Sequence, residues 1–246
     1  QNKSHIKNLE KMLKVGDEKC SSLVELKDHK DAVNLLLEHL LEHKVISSLD
    51  EIEAVGHRIV HGGNKYSKSV VIDDRVLLEV ESISPLAPLH NPAALKGIRA
   101  FMDAIPKALN VACFDTAFHQ TMDESTYLYP VPYEWYVKYD VRKYGFHGLS
   151  HKFITEQMTD ILAKVPNLII CHIGSGCSIT AVKEGKSIDT SMGFTPNAGI
   201  MMGTRSGDID YSLINYVMQK EERNLEWVDK KLNFERYSWY ERFTGY

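Results

Sequence analysis

The 246-residue sequence has little cysteine, no long apolar run and no surplus of charge of one sign. Its four cysteines, Cys20, Cys113, Cys171 and Cys177, show neither C-x-x-C spacing nor a zinc-type histidine pattern, which predicts reduced thiols and a cytoplasmic protein. The longest apolar stretches, such as 168–171, fall far short of the roughly 20 residues that span a bilayer, and residues 1–14 are polar rather than signal-like. No membrane partner is expected. Lysine and arginine number 29 against 33 acidic residues, a net charge of −4, and no basic run offers a footprint for nucleic acid. What is present, 43% hydrophobic and 25% charged residues, is the composition of a globular chain long enough for one large or two small domains.

Along the chain, residues 1–50 read as helical and charged. Within 31–43, Ala32, Leu36 and Leu40 and then Val33, Leu37 and Leu41 recur at three-and-four spacing. Residues 54–60 run apolar into His61-Gly62-Gly63, so a strand delivers Arg58 and His61 to a loop. A polar turn is expected at Asp73-Asp74. Asn91 and Pro92 predict a helix start with His90 at its N-terminus and a helical run over 93–104. The apolar run 109–114 predicts a buried strand, which puts Asp115 at its C-terminal end, where open α/β sheets bind ligands. The Tyr- and Pro-rich residues 123–141 are expected to be an ordered loop. Residues 168–173 read as a strand ending in Gly174-Ser175-Gly176, and 179–182 pairs with 187–190 across Glu184-Gly185.

The Gly174-Ser175-Gly176 turn taken alone fits an ordinary hairpin as well as a phosphate cradle. Arg205 between Gly203 and Gly207, and Arg58 near Gly62-Gly63, place two guanidinium groups in glycine-hinged segments suited to anions. Asp115 at a strand end suits phosphoryl-transfer chemistry. Each of these residues by itself reads better as a surface ion pair or a turn cap; their joint occurrence favours a kinase. Among the 11 histidines, His90, His147 and His172 stand at strand ends or helix starts, where an imidazole can donate to developing phosphoryl charge.

Five segments then carry a family resemblance. Gly56-His57-Arg58-Ile59-Val60-His61-Gly62-Gly63, Ala87-Pro88-Leu89-His90-Asn91-Pro92, Phe114-Asp115-Thr116-Ala117-Phe118-His119, Arg142-Lys143-Tyr144-Gly145-Phe146-His147-Gly148-Leu149-Ser150-His151 and residues 189–205 resemble the acetate kinases over roughly 30–233. The resemblance implies an α/β fold of the acetate and sugar kinase/Hsc70/actin type, with two ribonuclease H-like domains. It implies reversible phosphoryl transfer from ATP to acetate, giving acetyl phosphate and ADP, with Mg²⁺ and a homodimer. Asp115 then corresponds to the catalytic carboxylate, and His147 and Arg205 to the transition-state stabilisers. Arg58 is a substrate-binding arginine and His90 a further phosphate-site donor. Val60, Leu89, Phe146 and Pro196 line a small apolar acetate pocket, though each alone reads better as core. His172, Ile173, Gly174, Ser175 and Gly176 form an ATP phosphate loop.

The same resemblance implies a domain over 1–118 lacking its first strand and phosphate loop, a partial nucleotide-binding domain over 119–233, and an aromatic tail, 234–246, unlike the family. Both domains are expected to be incomplete, with the family's Mg²⁺-binding glutamate beyond residue 246 and no turnover by the chain alone. Ser175 stands where the family usually has Asn. The competing expectations are a propionate or butyrate kinase, and a non-catalytic member that binds anions or dimerises.

Overall fold

Apolar runs bounded by Gly, Pro and Asp divide the chain into short elements, and a computed structural model describes them for residues 9–15, 18–24, 26–88 and 90–234. Leu89, expected in the acetate pocket, and the tail from residue 235 onward lie outside the described residues. Two compact units emerge. The first comprises residues 1–59 and 70–113, and the second 60–69 and 114–246.

In the first unit, β1 (Leu9–Val15) and β2 (Glu18–Val24) form an antiparallel ribbon in the register Val15↔Glu18. This corrects the helical expectation for residues 9–24, while the helix expected around 31–43 is present. The strands pair over their full length despite the charged character of both segments. α1 (His29–Glu42) begins at Asp28, whose carboxylate accepts from the Asp31 amide at 2.9 Å. It buries Val33 and Leu37 against Ala100 of α3 (Asn91–Ala104), with Ile105 and Ala108 beside them. The expected turn at 73–74 is instead the cap of α2 (Asp74–Ser82), Asp73 accepting from the Val76 amide at 2.8 Å. α3 starts as predicted, except that His90 is the cap and Asn91 the first helical residue. A three-stranded sheet follows the order β3 (Ala54–Ile59), β5 (Leu109–Phe114), β4 (Val70–Val71).

In the second unit, 124–139 holds two short helices, α4 (Glu124–Tyr127) and α5 (Tyr133–Tyr139), rather than a loop. Pro130 disfavours helix in the residue before it, ending α4, and Pro132 presets the backbone entering α5. α6 (Gly148–Leu162) precedes an antiparallel sheet of β6 (Leu168–Ile173), β7 (Cys177–Lys183) and β8 (Lys186–Thr190) in sequential order. The buried pair Thr180 and Thr190 shares a 2.8 Å hydroxyl hydrogen bond across β7 and β8. α7 (Ser212–Glu221) packs on α8 (Leu225–Phe234).

The β7–β8 turn has positive φ at both central residues, 50° at Glu184 and 74° at Gly185. Glycine suits that geometry and glutamate does not, because its Cβ crowds the following carbonyl. Glu184→Asn is expected to stabilise the chain by roughly 0.5–1 kcal/mol, read as a higher urea midpoint at unchanged m-value.

Candidate functional site

Asp115 follows β5 directly and is 1% exposed. Its carbonyl accepts from the Gly148 amide at 2.8 Å, at an approach so close that any Cβ on residue 148 would collide with it. That bond sets the first turn of α6 beside the Asp115 backbone. His147, the residue before, caps α6 with φ of 58°, a left-handed conformation held by the tethered helix start.

The His147 ring packs face to face on His172 at the end of β6, with centroids 4.0 Å apart and 23° between planes. His147 Nδ1 lies 2.9 Å from Ser178 Oγ, and His172 Nδ1 lies 3.0 Å from Ser150 Oγ. After β6 comes the glycine turn, closed by a 3.1 Å bond from the Gly174 amide to the Gly176 carbonyl. The loop around Arg205 docks on this turn through the Gly203 amide, 3.0 Å from the Ser175 carbonyl. Its other side is tied to α8, where the Ser206 amide donates to the Leu232 carbonyl at 3.0 Å. Arg205 Nη1 donates to the Pro196 carbonyl at 2.6 Å.

The convergence shows at Gly176. A Cβ there would stand 2.6 Å from Arg205 Nη2 and 3.2 Å from His147 Nε2, so a cation and an imidazole face the space over one glycine. Partial burial lowers the Arg205 pKa from its ordinary value and Cys177 raises it. A half-buried guanidinium beside a glycine turn offers donors to which an anion could bind.

The second unit therefore brings together His147, His172, Gly174, Ser175, Gly176, Arg205 and Pro196, with Asp115 at the α6 start. Ile173, assigned to the phosphate loop by resemblance, points away from cover and is 68% exposed. Val60 precedes His61, whose ring meets the buried Phe146 ring at 5.5 Å. Arg58 and His90 belong to the first unit. Arg58 is exposed on β3 and His90 is exposed at the start of α3.

Three histidines without an assigned role also belong to the neighbourhood. His151 Nε2 reaches Ser178 Oγ at 2.8 Å, and its i, i+4 spacing from His147 along α6 is the signal that could have found it. His119 donates from Nε2 to the Phe146 carbonyl at 3.0 Å, so its Nδ1 accepts from the Ser187 hydroxyl at 2.8 Å. His61 Nδ1 accepts from the Gly63 amide at 3.0 Å. Burial lowers the pKa of His61 and His119 to about 4, although Asp115 and Asp189 act upward on His119; burial lowers His151 to about 3.

The family model described as the acetokinase family matches residues 2–236, further toward the N-terminus than the motifs alone reach. The chain belongs to the acetokinase family. It is 54% identical over 222 residues to the acetate kinase of Bacillus cytotoxicus, an alignment covering 89% of this chain and 56% of that protein. Among solved structures, a propionate kinase from Francisella tularensis superposes with a TM-score of 0.88 at 44% identity, over 94% of this chain and 59% of that one. Acetate kinase from Porphyromonas gingivalis gives 0.84 at 43% identity, covering 89% of this chain and 56% of that chain. The α/β fold of this acetokinase chain is thus the acetate kinase fold that the motifs implied. The chain spans a little over half the length of these relatives.

Three buried neutral histidines make stability depend on pH. Their folded values lie near 4, 4 and 3 against an ordinary 6.5, so below 6.5 the unfolded chain binds the extra protons. The contribution is complete above 6.5 and is lost as pH falls toward 4, at about 1.4 kcal/mol per pH unit for each histidine. Urea unfolding at pH 7 and pH 5 should show this loss, and His119→Gln should shrink the slope by about one proton.

Proposed function

We propose that the protein carrying this chain is an acetate kinase, transferring a phosphoryl group reversibly between ATP and acetate to give ADP and acetyl phosphate. The observation that supports this reading is the shared approach of Arg205 Nη2 and His147 Nε2 to Gly176, a cradle of donors shaped for a tetrahedral anion. Arg205 supplies a fixed positive charge, locked by its bond to the Pro196 carbonyl. His147 donates a hydrogen bond to the charge that grows on the transferred group. The turn 174–176, with His172 and Ile173 before it, receives the nucleotide phosphates.

Asp115 is the catalytic carboxylate, and its position at the α6 start keeps it in register with His147. Arg58 takes the acetate carboxylate and His90 serves the phosphate site. Val60, Phe146 and Pro196, all of the second unit, line the methyl pocket. Mg²⁺, which the family implies, neutralises phosphate charge when bound. It takes oxygen ligands, usually one or two carboxylates with substrate phosphates, and the buried Asp115 carboxylate fits that donor set. The described cluster of three potential metal ligands, His39, Glu42 and His43, is rich in nitrogen and suits a softer ion.

We read the protein as cytoplasmic and homodimeric. Cys171 and Cys177 are free thiols, which accords with a reducing compartment, and no helix among the described residues is long and apolar enough to cross a membrane. Ile169 and Ile173, 71% and 68% exposed on β6, form an apolar surface suited to cover by further protein. We place the acetate- and phosphate-binding domain over 1–118 and part of the nucleotide-binding domain over 119–233.

The likeness to a propionate kinase sustains the second reading. Both are tested by acyl phosphate formation in a full-length enzyme carrying these residues, with acetate and propionate compared. Arg205→Ala is expected to lower kcat by about 10²-fold or more, as loss of a preorganised donor does. Val60→Ala is expected to raise the propionate to acetate ratio of kcat/KM roughly tenfold. A wild-type preference for propionate favours the second reading, and near wild-type turnover by Arg205→Ala removes the mechanism.

A further inference from the structure

His147 can present either a proton or a lone pair at Nε2, and the two make opposite chemistry: a hydrogen-bond donor or a base. The choice is made on the far side of the ring. His147 Nδ1 and His151 Nε2 both contact the hydroxyl of Ser178, at 2.9 and 2.8 Å, and Ser178 is fully buried. These are the side-chain hydrogen bonds of Ser178. A hydroxyl owns one proton, so it donates to one imidazole and accepts from the other.

His151 decides the direction. Its ring is fully buried, and its Nδ1 has no hydrogen-bond partner among the described residues. Burial and the neighbouring His119, His147 and His172 hold it neutral, with one proton to place. On Nδ1 that proton would be a buried N–H with nothing to bond, the costliest kind of orphan; on Nε2 it bonds Ser178 and leaves only a bare lone pair. A third arrangement, both rings donating to the hydroxyl, strands the hydroxyl proton. With His151 donating, the Ser178 proton points at His147 Nδ1, and His147 keeps its own proton on Nε2.

We propose that Ser178 and His151 are positioning residues that lock His147 in its Nε2–H tautomer, so that it faces the anion cradle over Gly176 as a hydrogen-bond donor and not as a base. The proposal rests on the reading of His147 as a phosphoryl-site residue. Stacking on His172 fixes the plane of the ring, and the hydroxyl relay fixes its proton. The lock explains why a buried serine stands between two histidines, where an alanine would bond neither ring.

The test reads protons directly. Long-range ¹H–¹⁵N NMR of the chain labelled at histidine is expected to show His147 and His151 each protonated at Nε2 at neutral pH. Ser178→Ala should turn His147 into a mixture of tautomers, and Ser178→Thr, which keeps the hydroxyl, should preserve the single form. A wild-type His147 protonated at Nδ1, or a tautomer unaffected by Ser178→Ala, would overturn the proposal. In the full-length enzyme Ser178→Ala should lower kcat about tenfold or more at unchanged KM, the scale of lost outer-shell partners, with recovery in Ser178→Thr. If the tautomer shifts in Ser178→Ala and kcat does not, the lock stands and the assigned role of His147 in phosphoryl transfer fails.

Discussion

The amide of Gly148 donates to the carbonyl of Asp115 over 2.8 Å, in a space that has no room for a side chain on residue 148. That bond joins the end of β5 to the first turn of α6. It forces His147 into a left-handed backbone conformation and holds Asp115 and His147 in one place. The remaining pieces are assembled on this joint. His172 stacks on the His147 ring, which aligns the end of β6, and the glycine turn that follows receives the Arg205 loop through the Gly203 amide. Arg205 is held on its other side by the Pro196 carbonyl.

The electrostatic character of this neighbourhood comes from burial more than from charge pairs. His61, His119 and His151 are fully buried, which favours their neutral form, and each bonds a hydroxyl, an amide or a carbonyl, with His151 Nδ1 left without a partner among the described residues. Neutral imidazoles orient their neighbours at little desolvation cost, whereas buried cations would demand paired charge. The cationic work falls to Arg205, which is only half-buried and keeps its charge in contact with the turn. The arrangement suits a ligand that carries its own negative charge to the site.

Much of this was legible in the sequence, for reasons that are local. β5 and β6 are short apolar runs with sharp polar ends, and Glu184-Gly185 marks the β7–β8 hairpin. Asp115, His147 and Arg205 stood out through motifs of several residues. The β1–β2 ribbon was hidden because its strands, LEKMLKV and EKCSSLV, carry the charge and spacing of a helix, and only the Gly-Asp between them signals a turn. The Ser178 contact is hidden for a different reason. Ser178 lies 31 residues from His147 and 27 from His151, and no pattern in one dimension joins a strand hydroxyl to a helix face at that separation.

If the Gly174–Gly176 turn, His147 and Arg205 form one anion site within the second unit, titration of the ¹⁵N-labelled chain with acetyl phosphate will register at all of them together. Saturable shifts are expected at the amides of Gly174, Gly176 and Gly203 and at Arg205 Nε, with the same apparent Kd at each and all lost together in Arg205→Ala. Shifts confined to other surfaces, such as α7 and α8, or different affinities at the turn and at Arg205, would contradict a single site.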